Sequence, residues 1–139
     1  MWNERTLIVA GALLLASPQL TDPASAGAET PAFRKCMDTV DLGAFKNSQW
    51  TACYEAEFQR QDVQLNAVYL KIQQKASPEL KKVLVKAQRA WLAYRDAWCA
   101  YEELTPVAPG GSVNRAACLV DLTIAQIDRL KNSSLDQGL

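Results

Sequence analysis

Four cysteines, Cys36, Cys53, Cys99 and Cys118, are the residues of this 139-residue chain best equipped for chemistry, and their spacing decides which chemistry. Gaps of 16, 45 and 18 residues separate them, so no C-x2-C knuckle arises, and the chain has no histidine to complete a mixed zinc site. The same absence removes Ser-His and Cys-His nucleophile pairs and any histidine general base. An even number of widely spaced cysteines in a small chain points instead to two disulfides, provided the chain reaches an oxidising compartment.

The first residues supply that address. Arg5 lies in a short polar start, residues 7–16 form an apolar run, and the chain then turns small and polar around Pro18 and Pro23. This is the three-part plan of a secretory signal, with Ala24-Ser25-Ala26 as its cleavage sequence and Ala26-Gly27-Ala28 as a competitor. Residues 1–26 are therefore expected to be removed, by cleavage after 26 or 28. The run is too short to span a bilayer and no later segment is apolar for longer, so the mature protein is expected to have no transmembrane segment. Cys36 follows Phe33-Arg34-Lys35, a basic context unlike a lipoprotein cleavage site, so the product is expected to be released, periplasmic or secreted.

Helices must position the cysteines. From Ser48 to about Lys75, Tyr54, Phe58, Leu65, Val68 and Ile72 fall on one stripe at helical spacing, with Gln61 at its one polar position. Ser77-Pro78-Glu79 then combines an N-cap, a first-turn proline and an acid at the positive helix end, restarting a helix at once and forcing an antiparallel hairpin. The seam predicted for this second helix is Leu80, Leu84, Ala87, Trp91, Tyr94, Trp98 and Tyr101, alternating steps of four and three. Pro106, Pro109, Gly110 and Gly111 break the chain before Ser112 caps a third helix from about Val113 to Lys131. The fold expected is all-α: an antiparallel hairpin plus third helix, a three-helix bundle over residues 48–131. A short extension over 27–47, in which residues 33–40 can form a short helix, precedes it, and a frayed tail over 132–139 follows.

A core this small gains from staples. Hairpin geometry puts Cys53, Cys99 and Cys118 at one pole, and of three connectivities we favour Cys36 with Cys53 and Cys99 with Cys118, which close short loops across the irregular connections.

Polar residues also fall near the seam. Antiparallel registry sets Asp62 opposite Trp91 and within reach of Arg95, and sets Asn66 opposite Ala87 and Gln88. With Trp91 and Tyr69 as walls, Asp62, Asn66, Gln88 and Arg95 read either as a network fixing helix register or as a ligand site. No second carboxylate stands near Asp62 for acid–base work. The 15 basic residues match the 15 acidic ones and are evenly mixed, which argues against nucleic acid as a partner.

At these spacings a family resemblance emerges. Cys53, Asp62-x-x-Leu65-Asn66-x-x-Tyr69, Ala87-Gln88-x-x-Trp91-x-x-Tyr94-Arg95-Asp96-x-x-Cys99, Gly110-Gly111-Ser112 and Cys118-Leu119-x-x-Leu122-Thr123 together resemble the LprI-like lysozyme-inhibitor family of exported bacterial proteins. The likeness runs from about Cys36 to Leu130, with Gln126 in place of an expected arginine and Trp50 where methionine is common. It implies a helical, disulfide-bonded envelope or secreted protein, some of whose relatives inhibit lysozyme.

The expected function is thus an exported, non-enzymatic binding protein that needs no cofactor or metal and that inhibits lysozyme or a related cell-wall glycan hydrolase by occluding its cleft. Occlusion asks for a protruding loop carrying donors or a cation to face the two catalytic carboxylates, and Ser112, Asn114 and Arg115, beside the proline-glycine loop, are the candidate contacts. The alternative is a small envelope binding or stress-related module, its ligand site around Asp62 and Arg95.

Overall fold

The computed structural model describes residues 28–41 and 47–133, so the segment read as a signal and the last six residues of the tail lie outside the described residues. Four helices make up the described chain, the short helix of the extension standing at 31–37 rather than 33–40 beside the three expected long ones: α1 (Pro31–Met37), α2 (Asn47–Lys75), α3 (Pro78–Leu104) and α4 (Gly111–Lys131). α1 starts two residues earlier than expected because the Thr30 side chain accepts a hydrogen bond from the Phe33 amide and Pro31 occupies the first turn. At the tight connection Ser77 caps α3 by accepting from Leu80 N–H at 3.3 Å, as its Ser-Pro-Glu sequence predicts. Ser112 does not cap α4: Gly110, at φ 85°, takes that place, and Ser112 sits inside the first turn.

The long helices do not pack as equals. Backbones approach closely between α2 and α4 and between α3 and α4, whereas the α2–α3 pair, despite its two-residue link, makes no comparable approach. α4 is the helix with most to bury, and Val113, Ala116, Val120, Thr123, Ile127 and Leu130 all turn inward. Leu65 and Ile72 of α2 meet Ile127 and Leu130 in the apolar centre, flanked by Val68, Tyr69, Leu84 and Trp91.

The seam predicted for α3 is corrected by this packing. Leu80, Tyr94, Trp98 and Tyr101 are exposed, and the face that turns inward carries Gln88, Arg95 and Cys99. The rotation follows from the Cys99–Cys118 disulfide, which points the Cys99 face of α3 at α4 with a Cα–Cα distance of 5.5 Å. The second disulfide joins Cys36 to Cys53 across 5.7 Å and fastens α1 to α2. Both pairings are those favoured on loop length.

The Cys99–Cys118 link closes a loop of 19 residues, so replacing both cysteines by alanine should lower stability by about 3 kcal/mol in the loop-entropy account. Denaturant midpoints of the two forms measure this, and a change below about 1 kcal/mol would show that α3 and α4 are held by packing alone.

Candidate functional site

The connection between α3 and α4 is a built structure. Thr105 ends α3, its hydroxyl donating to Glu102 C=O at 2.8 Å. The chain passes through a cis Ala108–Pro109 bond and two positive-φ glycines, Gly110 and Gly111, a backbone region that residues bearing a Cβ adopt poorly. Asn114 holds the turn from both ends of its amide: Nδ2 donates to Val107 C=O at 2.8 Å and Oδ1 accepts from Gly110 N–H at 3.2 Å. Asn47 Nδ2 donates to Pro109 C=O at 2.9 Å, tying the turn to the start of α2.

Of the three candidate loop contacts, therefore, Asn114 has both polar groups engaged within the chain. Ser112 Oγ lies 3.0 Å from Thr51 Oγ1. Arg115 is half-exposed and meets Glu103 Oε2 at 3.4 Å, a pairing too open to water to hold it firmly. Arg115 also edges a depression of about 210 Å³ with Glu55, Phe58, Ser112 and Leu119. The pole presents a cation, a hydroxyl and the exposed apolar side chains of Leu104 and Val107.

The polar group near the α2–α3 junction is brought together only in part. Arg95 Nη1 stands 3.8 Å from Asp62 Oδ1, but the firmer partner is its neighbour Asp96, which accepts from Nε at 3.0 Å and meets Nη2 at 2.9 Å. The guanidinium carbon lies 5.1 Å from the ring centres of both Phe58 and Trp91, an aromatic sandwich. Asn66 Nδ2 donates to Asp62 at 3.1 Å, and Tyr69 accepts from Gln73 Nε2 at 2.9 Å. Gln88 faces α4 rather than Asn66, its Oε1 accepting from Gln126 Nε2 at 3.0 Å in the interior. A groove of about 330 Å³ runs beside Asp62, Asn66, Tyr69, Gln88 and Arg89; Arg95 does not line it.

A residue that periodicity missed gathers several hydrogen bonds on one carboxylate. Glu57 is fully buried. Its carboxylate accepts from Thr30 N–H at 2.8 Å, Thr30 Oγ at 2.6 Å, Gln61 Nε2 at 2.7 Å and Arg60 Nε at 2.9 Å. Burial opposes its ionisation, but the hydrogen bonds from the Thr30 side chain, Gln61, the Thr30 backbone and Arg60 outweigh it, and its pKa lies below the ordinary 4.5. Gln61 reaches further, donating to Ala28 C=O at 3.3 Å. The legible signal is the spacing of four in Cys53, Glu57, Gln61 and Leu65, which puts both polar residues on the face that the disulfide turns inward.

With this geometry in hand, comparison with known proteins is informative. Residues 43–130 match the family described as lysozyme inhibitor LprI. An uncharacterised protein of Rhizobium meliloti (strain 1021) is 30% identical over 127 residues, covering 80% of this chain and 84% of the relative. No solved structure matches the chain.

Proposed function

The chain belongs to the lysozyme inhibitor LprI family, and from that premise we propose that it blocks a lysozyme-type hydrolase by seating its loop pole in the enzyme's cleft. The observation that carries this reading is the braced turn between α3 and α4. Held by Asn114, Asn47 and the nearby Cys99–Cys118 bond, it keeps its shape on binding and so loses little conformational entropy there. Arg115 is the cation that approaches the enzyme's carboxylates, where excluded water strengthens the attraction. Ser112 adds a hydrogen bond, and Asn114 acts by holding the loop. The two disulfides agree with an extracytoplasmic setting, and no helix among the described residues is long and apolar enough to cross a membrane. The groove beside Asp62 and Asn66 favours a second reading, a small-ligand module of the envelope.

Lysis assays with several lysozyme classes test the proposal, and absence of inhibition at micromolar excess against all of them would return the protein to the second reading. Arg115→Ala should weaken inhibition by about 1 to 2 kcal/mol, five- to thirtyfold, while leaving the helical fold intact. Inhibition untouched by changes at both Ser112 and Arg115 would move the contact surface elsewhere.

A further inference from the structure

Basic and acidic residues are mixed along the sequence, but the fold separates them in space. At the hairpin pole it gathers residues 62–91 of α2 and α3 and residues 122–131 of α4. The contacts of Leu65 and Ile72 with Ile127 and Leu130, and the hydrogen bond between Gln88 and Gln126, fix that level. Over those residues eight basic side chains stand against three acidic ones, Asp62, Glu79 and Asp128. The other described residues, which form the half that bears the loop, hold five basic and nine acidic side chains. A chain whose formal net charge is zero is thus polarised along its length.

The needs of the fold do not account for the basic pole. Lys75 and Lys131 end α2 and α4, where the negative helix end favours a cation, but Lys81 and Lys82 stand in the opening turns of α3, near its positive end. Lys82 and Lys86 lie four residues apart on that helix, a spacing at which like charges repel. Lys75, Lys81, Lys82 and Lys86 are all exposed. Leu80 and Val83 lie among them, 47 and 66% exposed.

We propose that the hairpin pole docks on the surface of an anionic lipid bilayer, without spanning it, so that the loop pole points away. Three observations select this occupant. The cations belong to three different helices and spread over a projecting end of the bundle, a shape that a plane of headgroups meets all at once and a single polyanion strand does not. Leu80 and Val83 add apolar side chains at the same end, where they reach the acyl boundary while the lysine stems lie along it with their ammonium groups among the phosphates. The acidic half is repelled by the same surface, which fixes the orientation. Each lysine near such a surface strengthens binding about fivefold, so Lys75, Lys81 and Lys82, opposed at the tip by Glu79, suffice with Lys71 and Lys131 behind them for reversible attachment. Docking is independent of inhibition, because it uses the end of the molecule opposite the 105–110 turn.

Cosedimentation with vesicles tests this. The protein should bind phosphatidylcholine vesicles in which a third of the lipid is phosphatidylglycerol, should ignore pure phosphatidylcholine, and should be released as salt is raised. Lys81→Gln with Lys82→Gln should weaken binding about thirtyfold. Arg34→Gln with Lys35→Gln, the same loss of charge at the other pole, should change it less than about twofold, and helical circular dichroism should be unchanged in both. Leu80→Ser should weaken binding to vesicles about fivefold and leave binding to soluble polyphosphate as it was. Absence of binding to the anionic vesicles at low salt, equal binding to pure phosphatidylcholine, or equal effects of the two double variants overturns the proposal. So does a Leu80→Ser protein that binds vesicles as before, or tighter binding to polyphosphate than to vesicles, which would make the occupant a linear polyanion.

Discussion

Glu57→Ala should lower stability by about 3 to 5 kcal/mol and detach α1 from α2, because several donors aimed at one buried carboxylate lose their acceptor together. Thr30 loses the partner of both its N–H and its hydroxyl, and with it the anchor of the residue that caps α1. Urea unfolding measures the loss, and hydrogen exchange at the α1 amides should show protection falling there first. Arg60→Ala removes only a half-exposed partner of the same carboxylate and should cost under about 1 kcal/mol. Similar midpoints for Glu57→Ala and Arg60→Ala would refute the role given to the carboxylate.

The same group gives the fold an acid dependence with a definite sign. Since the folded pKa of Glu57 lies below its ordinary 4.5, the folded state holds that proton less tightly than the unfolded chain. Its stabilisation is complete above the ordinary value and fades as pH falls below about 4.5 through the lower folded value. Asp121 works in the opposite direction, because burial raises its pKa and acid then favours its folded form. Unfolding midpoints of wild type and Glu57→Gln between pH 7 and pH 3 separate the two, and the difference between them should shrink as pH falls. A difference that stays constant would assign the acid dependence elsewhere.

Arg95→Ala should cost about 2 to 4 kcal/mol, well above Arg89→Ala, which removes an exposed side chain and should stay near zero. The reason differs from the buried ion pair expected from registry. Asp62 keeps 41% of its side chain open to solvent, so losing Arg95 leaves it hydrated rather than stranded. The cost comes from the space emptied between Phe58 and Trp91, the lost attraction of their ring faces for the cation, and the exposed Asp96 losing its partner. Arg95→Met, which fills the space without charge, should recover part of the loss, and Asp62→Asn should cost under about 1 kcal/mol. Equal midpoints for Arg95→Ala and Arg89→Ala would reject the sandwich, and a larger effect of Asp62→Asn than of Arg95→Ala would reinstate the ion pair.

Helix boundaries and disulfide pairing were legible because local rules govern them. Ser77-Pro78 leaves few conformations for the chain at that point, and Cys36 with Cys53 and Cys99 with Cys118 lie close enough in sequence to meet across one connection each. The inward faces were less legible. On α3 a repeat of Leu80, Tyr94, Trp98 and Tyr101 says that a stripe exists, not what covers it, while Gln88, Arg95 and Cys99 look too polar to be interior. The deciding constraint is the direction of Cys99, a long-range fact that periodicity does not contain. Glu57 was missed for the same reason: a buried carboxylate is tolerable only with its donors in place, and Thr30 lies 27 residues away in sequence.

The placement of α4 bears on the order in which this chain can fold. α2 and α3 are joined by two residues, but the helix against which both lean most closely is the last to be synthesised. Until residues 111–131 have emerged, a nascent chain holds two helices with little core between them, and the Cys99–Cys118 bond lacks its second sulfur. Cys36 and Cys53, by contrast, can join as soon as α2 begins. A sequence arranged in this way completes its core only when its last long helix is in place, so the step that joins α4 to the other two is expected to carry most of the cooperativity of folding.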